Sequence, residues 1–125
     1  MLHLLLLPDD LLVARLPARA PVPAWALAAP FFSLTRTAHE LSVVCSAEAA
    51  PADLPAERGW RCLQVAGPLD FSLVGILASL LAPLQAAGVS VFVISTYDTD
   101  YLMLKQEQLG RALAALRAAG HSIDS

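Results

Sequence analysis

A chain of 125 residues can bury one core of useful size or two small, intimately packed ones, and it is too short for two independent domains. Apolar residues make up 57% and charged residues 15%, so part of the apolar surplus is expected in an interface. The formal net charge is -3, and the eight Lys and Arg residues are scattered along the chain, which argues against nucleic acid or an anionic membrane as partner.

The opening run Leu4 to Leu7 is stopped by Pro8-Asp9-Asp10 and has no basic residue before it. It lacks the length and flanks of a signal peptide and cannot span a bilayer, so a cytoplasmic location is expected. Leu2 to Leu7 and Leu11 to Leu16 read as strands around that turn. Pro17, Pro21 and Pro23 exclude a long helix, although Pro23 can open a short one through Ala24-Trp25-Ala26-Leu27 that ends before Pro30. Phe31 to Thr35 and Leu41 to Cys45 form a hairpin through Arg36 to Glu40, and Ala47 to Gly59, with two prolines, is a connector. Cys45 and Cys62 each lie in an apolar run, where reduced, buried thiols are expected.

The second half is more regular. Arg61 to Ala66 is a strand, and Ser72 to Ala87 a helix with Leu73, Leu77, Leu80, Leu81 and Leu84 on one face, Pro83 removing the amide that would bond to Ser79. Val89 to Thr96 is the strongest strand, apolar on both faces, so cover is expected on both. Asp100 to Leu104 returns as a strand, and Glu107 to Ala119 is a helix stopped by Gly120. The order is that of a ferredoxin-like βαββαβ unit whose last strand is missing or very short. The predicted class is α+β, with units at 1–58 and 59–125, and a strand from residues 1 to 7 is expected to fill the vacant place, exchanged between the halves.

The stretches Phe31-Phe32-Ser33-Leu34-Thr35, Glu40 to Val44 and Gly75-Ile76-Leu77-Ala78, and above all Gly88 to Tyr101 with its Ser-Thr-Tyr-Asp-Thr-Asp segment, resemble the small tandem ACT-domain proteins of bacteria. They are also similar to half of the eukaryotic cytosolic arginine sensors, and the family is related to the regulatory domains of aspartate kinase. The resemblance implies a tandem pair of ACT units that holds an amino acid or another small metabolite between units or subunits. It places ligand contacts on Gly75, on Ser90 and Val91, and on Asp100. The sensors are twice this length, so such a pocket here requires a homodimer.

The chemistry suits that expectation. A helix start at Ser72 to Gly75, with Asp70 before it, offers unpaired amides to a carboxylate, and Asp100 can accept from an ammonium or guanidinium. Each has a plainer role as well: Asp70 as an N-cap, Gly75 as a close helix-to-sheet contact, Asp98 as a turn residue. His3, His39 and His121 lack the spacing of metal ligands, and the chain carries no phosphate loop, GxSxG, HExxH or Cys-His arrangement. The expectation is therefore an allosteric, non-catalytic sensor without cofactor or metal, its proposed contacts being Asp70, Ser72, Gly75, Ser90, Val91 and Asp100. The competing expectation is a ligand-free dimerisation or protein-interaction module.

Overall fold

The computed structural model describes residues 1–67 and 74–125. Packing divides them into two compact units, Asp9–Trp60 and Met1–Pro8 together with Arg61–Ser125. The contiguous division at 58/59 differs from this one in the first eight residues, which join the C-terminal unit, and in Gly59 and Trp60, which stay with the N-terminal one.

In the N-terminal unit, β2 (Leu11–Leu16) pairs antiparallel with β4 (Leu41–Ser46), and β4 pairs with β3 (Phe32–Arg36). The one-turn helix α1 (Ala24–Leu27) lies between Pro23 and Pro30, the prolines that bound it in the sequence. Alternate residues of the strands (Leu12, Ala14, Leu41, Val43 and Cys45) face a core that Ala26 and Ala29 complete. The long strand β5 (Glu57–Val65) begins here: Leu11 pairs with Trp60 and Val13 with Glu57, so β5 carries one extra residue. Gly59, at φ 80°, takes the left-handed conformation that such a bulge requires of its first residue. The connector ahead of β5 holds a turn of 3-10 helix at Ala47–Ala49, and Arg58 fastens it by donating to the carbonyls of Pro51 and Leu54.

The rest of β5 belongs to the C-terminal unit, where β1 (His3–Leu6) runs antiparallel to it with Leu4 opposite Val65 and Leu6 opposite Leu63. On the other side β5 pairs with β7 (Asp100–Lys105), and β7 with β6 (Phe92–Ser95). The expected exchange is present: β1 fills the place that the ferredoxin-like order leaves for a final strand, and the three-residue β8 (Ser122–Asp124) adds in parallel beyond it. Helices α2 (Ile76–Ala86) and α3 (Leu109–Ala118) both cover one face, where Leu80, Leu84, Ala112 and Leu116 pack on Leu4, Leu63, Val65, Leu102 and Leu104. Each of these leucines adds about 1.5 to 3 kcal/mol by burial.

Three expected elements are shorter than the sequence pattern suggests, among them the helix expected from Ser72, with its start at Ser72 to Gly75: α2 begins only at Ile76, because Gly75 ahead of it takes the left-handed conformation at φ 80°. The apolar run from Val89 to Thr96 gives a strand of only four residues, because the amide of Val89 closes the end of α2 on Leu84 and that of Ser90 goes to the side chain of Gln108. Gln106–Gln108 form a 3-10 turn, so α3 starts at Leu109 and not at Glu107.

Candidate functional site

The site expected from the sequence lies in the C-terminal unit, and the structure divides it between the two ends of β6. One end is the β6–β7 hairpin. There the Thr96 amide donates to the Thr99 carbonyl at 2.9 Å, closing a turn around Tyr97 and Asp98. Thr99, only 5% exposed, donates its hydroxyl to the Val65 carbonyl at 2.7 Å, which ties the hairpin tip to the end of β5. Asp100 follows at the first position of β7, half-buried, its carboxylate accepting from the Ser95 hydroxyl at 2.6 Å across the strand pair. Its second carboxylate oxygen is given no partner by this pair, so an outside cation can still be met there.

Gly75 belongs to the same end. It precedes α2, which leaves from the side where β5 finishes and, at 1.5 Å per residue, carries the chain about 16 Å to the start of β6. Gly75 takes φ 80°, its carbonyl accepts from the Ser79 amide at 2.9 Å, and a Cβ there would meet nothing within 4 Å among the described residues. The glycine thus serves backbone conformation, with no described residue crowding the space above it. Asp70 and Ser72 lie outside the described residues.

Ser90 and Val91 occupy the opposite end. They precede β6, and the strand is an edge, pairing with β7 alone among the described strands. The Ser90 amide donates to Gln108 Oε1 at 3.3 Å, just before α3, while Val91 is half-buried against the core. At about 3.4 Å per residue, β6 itself separates its two ends by about 10 Å, and a fully extended chain from Ser90 to Ser95 by about 17 Å. A ligand shorter than that span touches only one end of a single copy.

Sequence reasoning passed over Thr99 and Gln108, which build the two ends. A threonine spaced three residues from another across a hairpin tip was the available signal for the first; for the second there was none, since its partner is a backbone amide. Among the described residues no group of three His, Cys, Asp or Glu could hold a metal ion. A serine, a histidine and an aspartate do meet where β8 pairs with β1: His3 lies 2.7 Å from Ser122 Oγ and 3.1 Å from Asp124. Their side chains are open to water, 42% exposed for His3 and 72% for Asp124, whereas a catalytic triad holds its carboxylate buried. The contact fastens β8 to β1.

A family model of the ACT domain matches residues 56–118, from the start of β5 to the end of α3. The chain belongs to the ACT-domain family. A second family model, of an N-terminal domain, matches residues 9–53. A crystal structure of a protein from Agobacterium tumefaciens is 38% identical and superposes with a TM-score of 0.92, the match covering 98% of this chain and 92% of that one. The regulatory subunit of aspartate kinase from Thermus thermophilus is similar in fold alone, 14% identical at TM-score 0.61 over 90% of this chain and 93% of its own. The cytosolic arginine sensor for mTORC1, subunit 1, of Mus musculus is 31% identical over 96 residues, 70% of this ACT chain and 29% of the sensor. The chain therefore spans less than a third of that relative. The ACT match ends before β8, so the strand that completes the unit's sheet comes from β1, outside the matched residues.

Proposed function

We propose that this ACT protein is a non-catalytic regulatory sensor of the cytosol that binds an amino acid between two copies of the chain. One copy supplies Gly75 and Asp100 from the hairpin end, and its partner supplies Ser90 and Val91 from the opposite end of β6. The observation that carries this reading is the separation of the two groups by the length of β6: two copies related by a two-fold axis across that open edge bring unlike ends together, and do so twice. The half-buried Val91, Phe92, Val93 and Ile94 give the approaching copy apolar surface to cover. Within each site the open backbone at Gly75 suits close approach of a ligand, and Asp100 suits its cationic group. Asp70 and Ser72, ahead of α2, remain part of the proposal as neighbours of the ligand's carboxylate.

The test is a thermal-shift panel of the twenty amino acids. A true ligand at a hundredfold its dissociation constant adds about 2.7 kcal/mol of stability. The shift is expected in the parent protein and absent from Asp100→Ala; no shift with any amino acid would remove the reading.

A second reading is a ligand-free dimerisation module. It is favoured by the Ser95–Asp100 hydrogen bond, which gives the carboxylate a structural task within its own hairpin. In that case Asp100→Ala leaves association unchanged, whereas a charge placed at Val91 abolishes it.

A further inference from the structure

Basic residues that are scattered in the sequence meet at one end of the N-terminal unit. Arg36, the last residue of β3, sends its guanidinium to the carbonyls of Ala18 and Ala20, the residues on either side of Arg19. Arg15, near the end of β2, donates to the carbonyl of His39 at 2.9 Å in the β3–β4 turn. All three arginines and His39 are exposed, and none of the arginines forms an ion pair with a carboxylate of the described residues, Glu40 of the same turn included. Two of the guanidinia are thus held in place by backbone carbonyls while most of their N–H donors remain unspent. A protein of net charge -3 keeps three of its eight cations at one end of this unit and, among the described residues, pairs none of the three with a carboxylate.

We infer that this end of the N-terminal unit, built by Arg15, Arg19 and Arg36, is a docking surface for an acidic segment of a partner protein. The placement of the arginines decides between kinds of anion. Arg36 lies in register with Leu41 and Leu16, and Arg15 with Ser42, so the two side chains leave the sheet from opposite faces and bracket its end. No single phosphate or carboxylate reaches both. An extended peptide with carboxylates at several positions does, and each carboxylate meets a guanidinium in paired geometry. A long nucleic-acid backbone is disfavoured because it feels the charge of the whole chain, whereas a short segment feels mainly the charges within the screening length of about 8 Å at physiological salt.

Fluorescence polarisation with a labelled hexaglutamate peptide tests the inference on the full chain. Binding is expected at low salt and is lost as salt rises. Arg19→Glu, at an exposed side chain with no hydrogen bond of its own among the described residues, weakens it about fivefold or more, the factor that 1 kcal/mol represents. Arg15→Gln weakens it less, and Asp100→Ala, in the other unit, leaves it as in the parent, so this surface stands or falls apart from the amino-acid site. Thermal melting checks that each variant is folded. The inference is overturned if the parent does not bind, if a hexaglutamine peptide binds equally well, if Arg19→Glu binds like the parent, or if a single-stranded oligonucleotide of equal charge binds more tightly.

Discussion

His121 donates from Nε2 to the carbonyl of Ser79 at 3.2 Å, and that carbonyl is the one Pro83 leaves without a helical donor. Its other ring nitrogen accepts from the Leu2 amide at 3.1 Å, which fixes the neutral tautomer with the proton on Nε2. One buried imidazole, 7% exposed, thereby repairs the gap in α2 and ties the lead into the exchanged strand β1 to the turn after α3. The pairing also explains how a proline is tolerated inside α2, since its usual cost includes an orphaned carbonyl.

Replacing His121 by Ala strands the Ser79 carbonyl and the Leu2 amide together, so urea denaturation is expected to register a loss of about 2 to 4 kcal/mol. Pro83→Ala returns an amide to Ser79. In that background the His121→Ala penalty shrinks by about 1 kcal/mol, and a double-mutant cycle reads this as coupling. Strict additivity of the two changes would separate them.

Thr99 is the corresponding tie at the hairpin end. Thr99→Val keeps the branched shape and removes the hydroxyl that reaches the Val65 carbonyl. The expected cost is about 1 to 2 kcal/mol, and Thr99→Ser recovers most of it because the donor is restored. If valine proves as stable as threonine, the tip is held by its own turn and not by β5.

The two thiols set an alkaline limit. Burial pushes Cys62 up to about 12, and Cys45 is raised for the same reason, with the nearby Arg58 pulling weakly the other way. Below the ordinary value of 9.0 both folded and unfolded chains keep their protons. Above it the unfolded chain sheds a proton that the native one retains, so stability falls by up to about 1.4 kcal/mol per pH unit until Cys62 itself ionises. Urea titrations from pH 8 to 11 should record that decline, and Cys62→Ala should flatten it. A thiol reagent at pH 8 should modify neither cysteine until the chain unfolds.

How far the sequence reveals this molecule depends on the range of each interaction. Pro23 and Pro30 bracket α1 because proline acts on its own backbone, and the run Leu11 to Leu16 becomes β2 unchanged. The exchanged strand is legible for a topological reason, since the ferredoxin-like order leaves a place beside β5 that the apolar run at Leu2 to Leu7 can take. The end of a strand is not local: Val89 and Ser90 carry strand-like side chains, yet their amides are taken by Leu84 and Gln108. Nor is the gathering of Arg15, Arg19 and Arg36 visible in a chain where basic residues look dispersed. Of the candidate contacts, Gly75, Ser90, Val91 and Asp100 come from the family resemblance and not from the pattern of residues, and only the length of β6 shows how far apart one copy holds them.

That length gives the two-copy site its sharpest test. Asp100→Ala removes the acceptor at the hairpin end, and Ser90→Trp, at an exposed position, blocks the other end without touching the core. Neither variant alone is expected to bind the amino acid that shifts the parent. Mixed in equal amounts and allowed to exchange subunits, they form heterodimers in which one of the two sites takes an intact half from each chain. About a quarter of the parent's binding capacity should then return at unchanged affinity, as two-fold symmetry requires. Calorimetry on the mixture measures both the capacity and the affinity. If the mixture stays silent while the parent binds, both halves of the site come from the same chain, and the separation along β6 has been bridged in some other way.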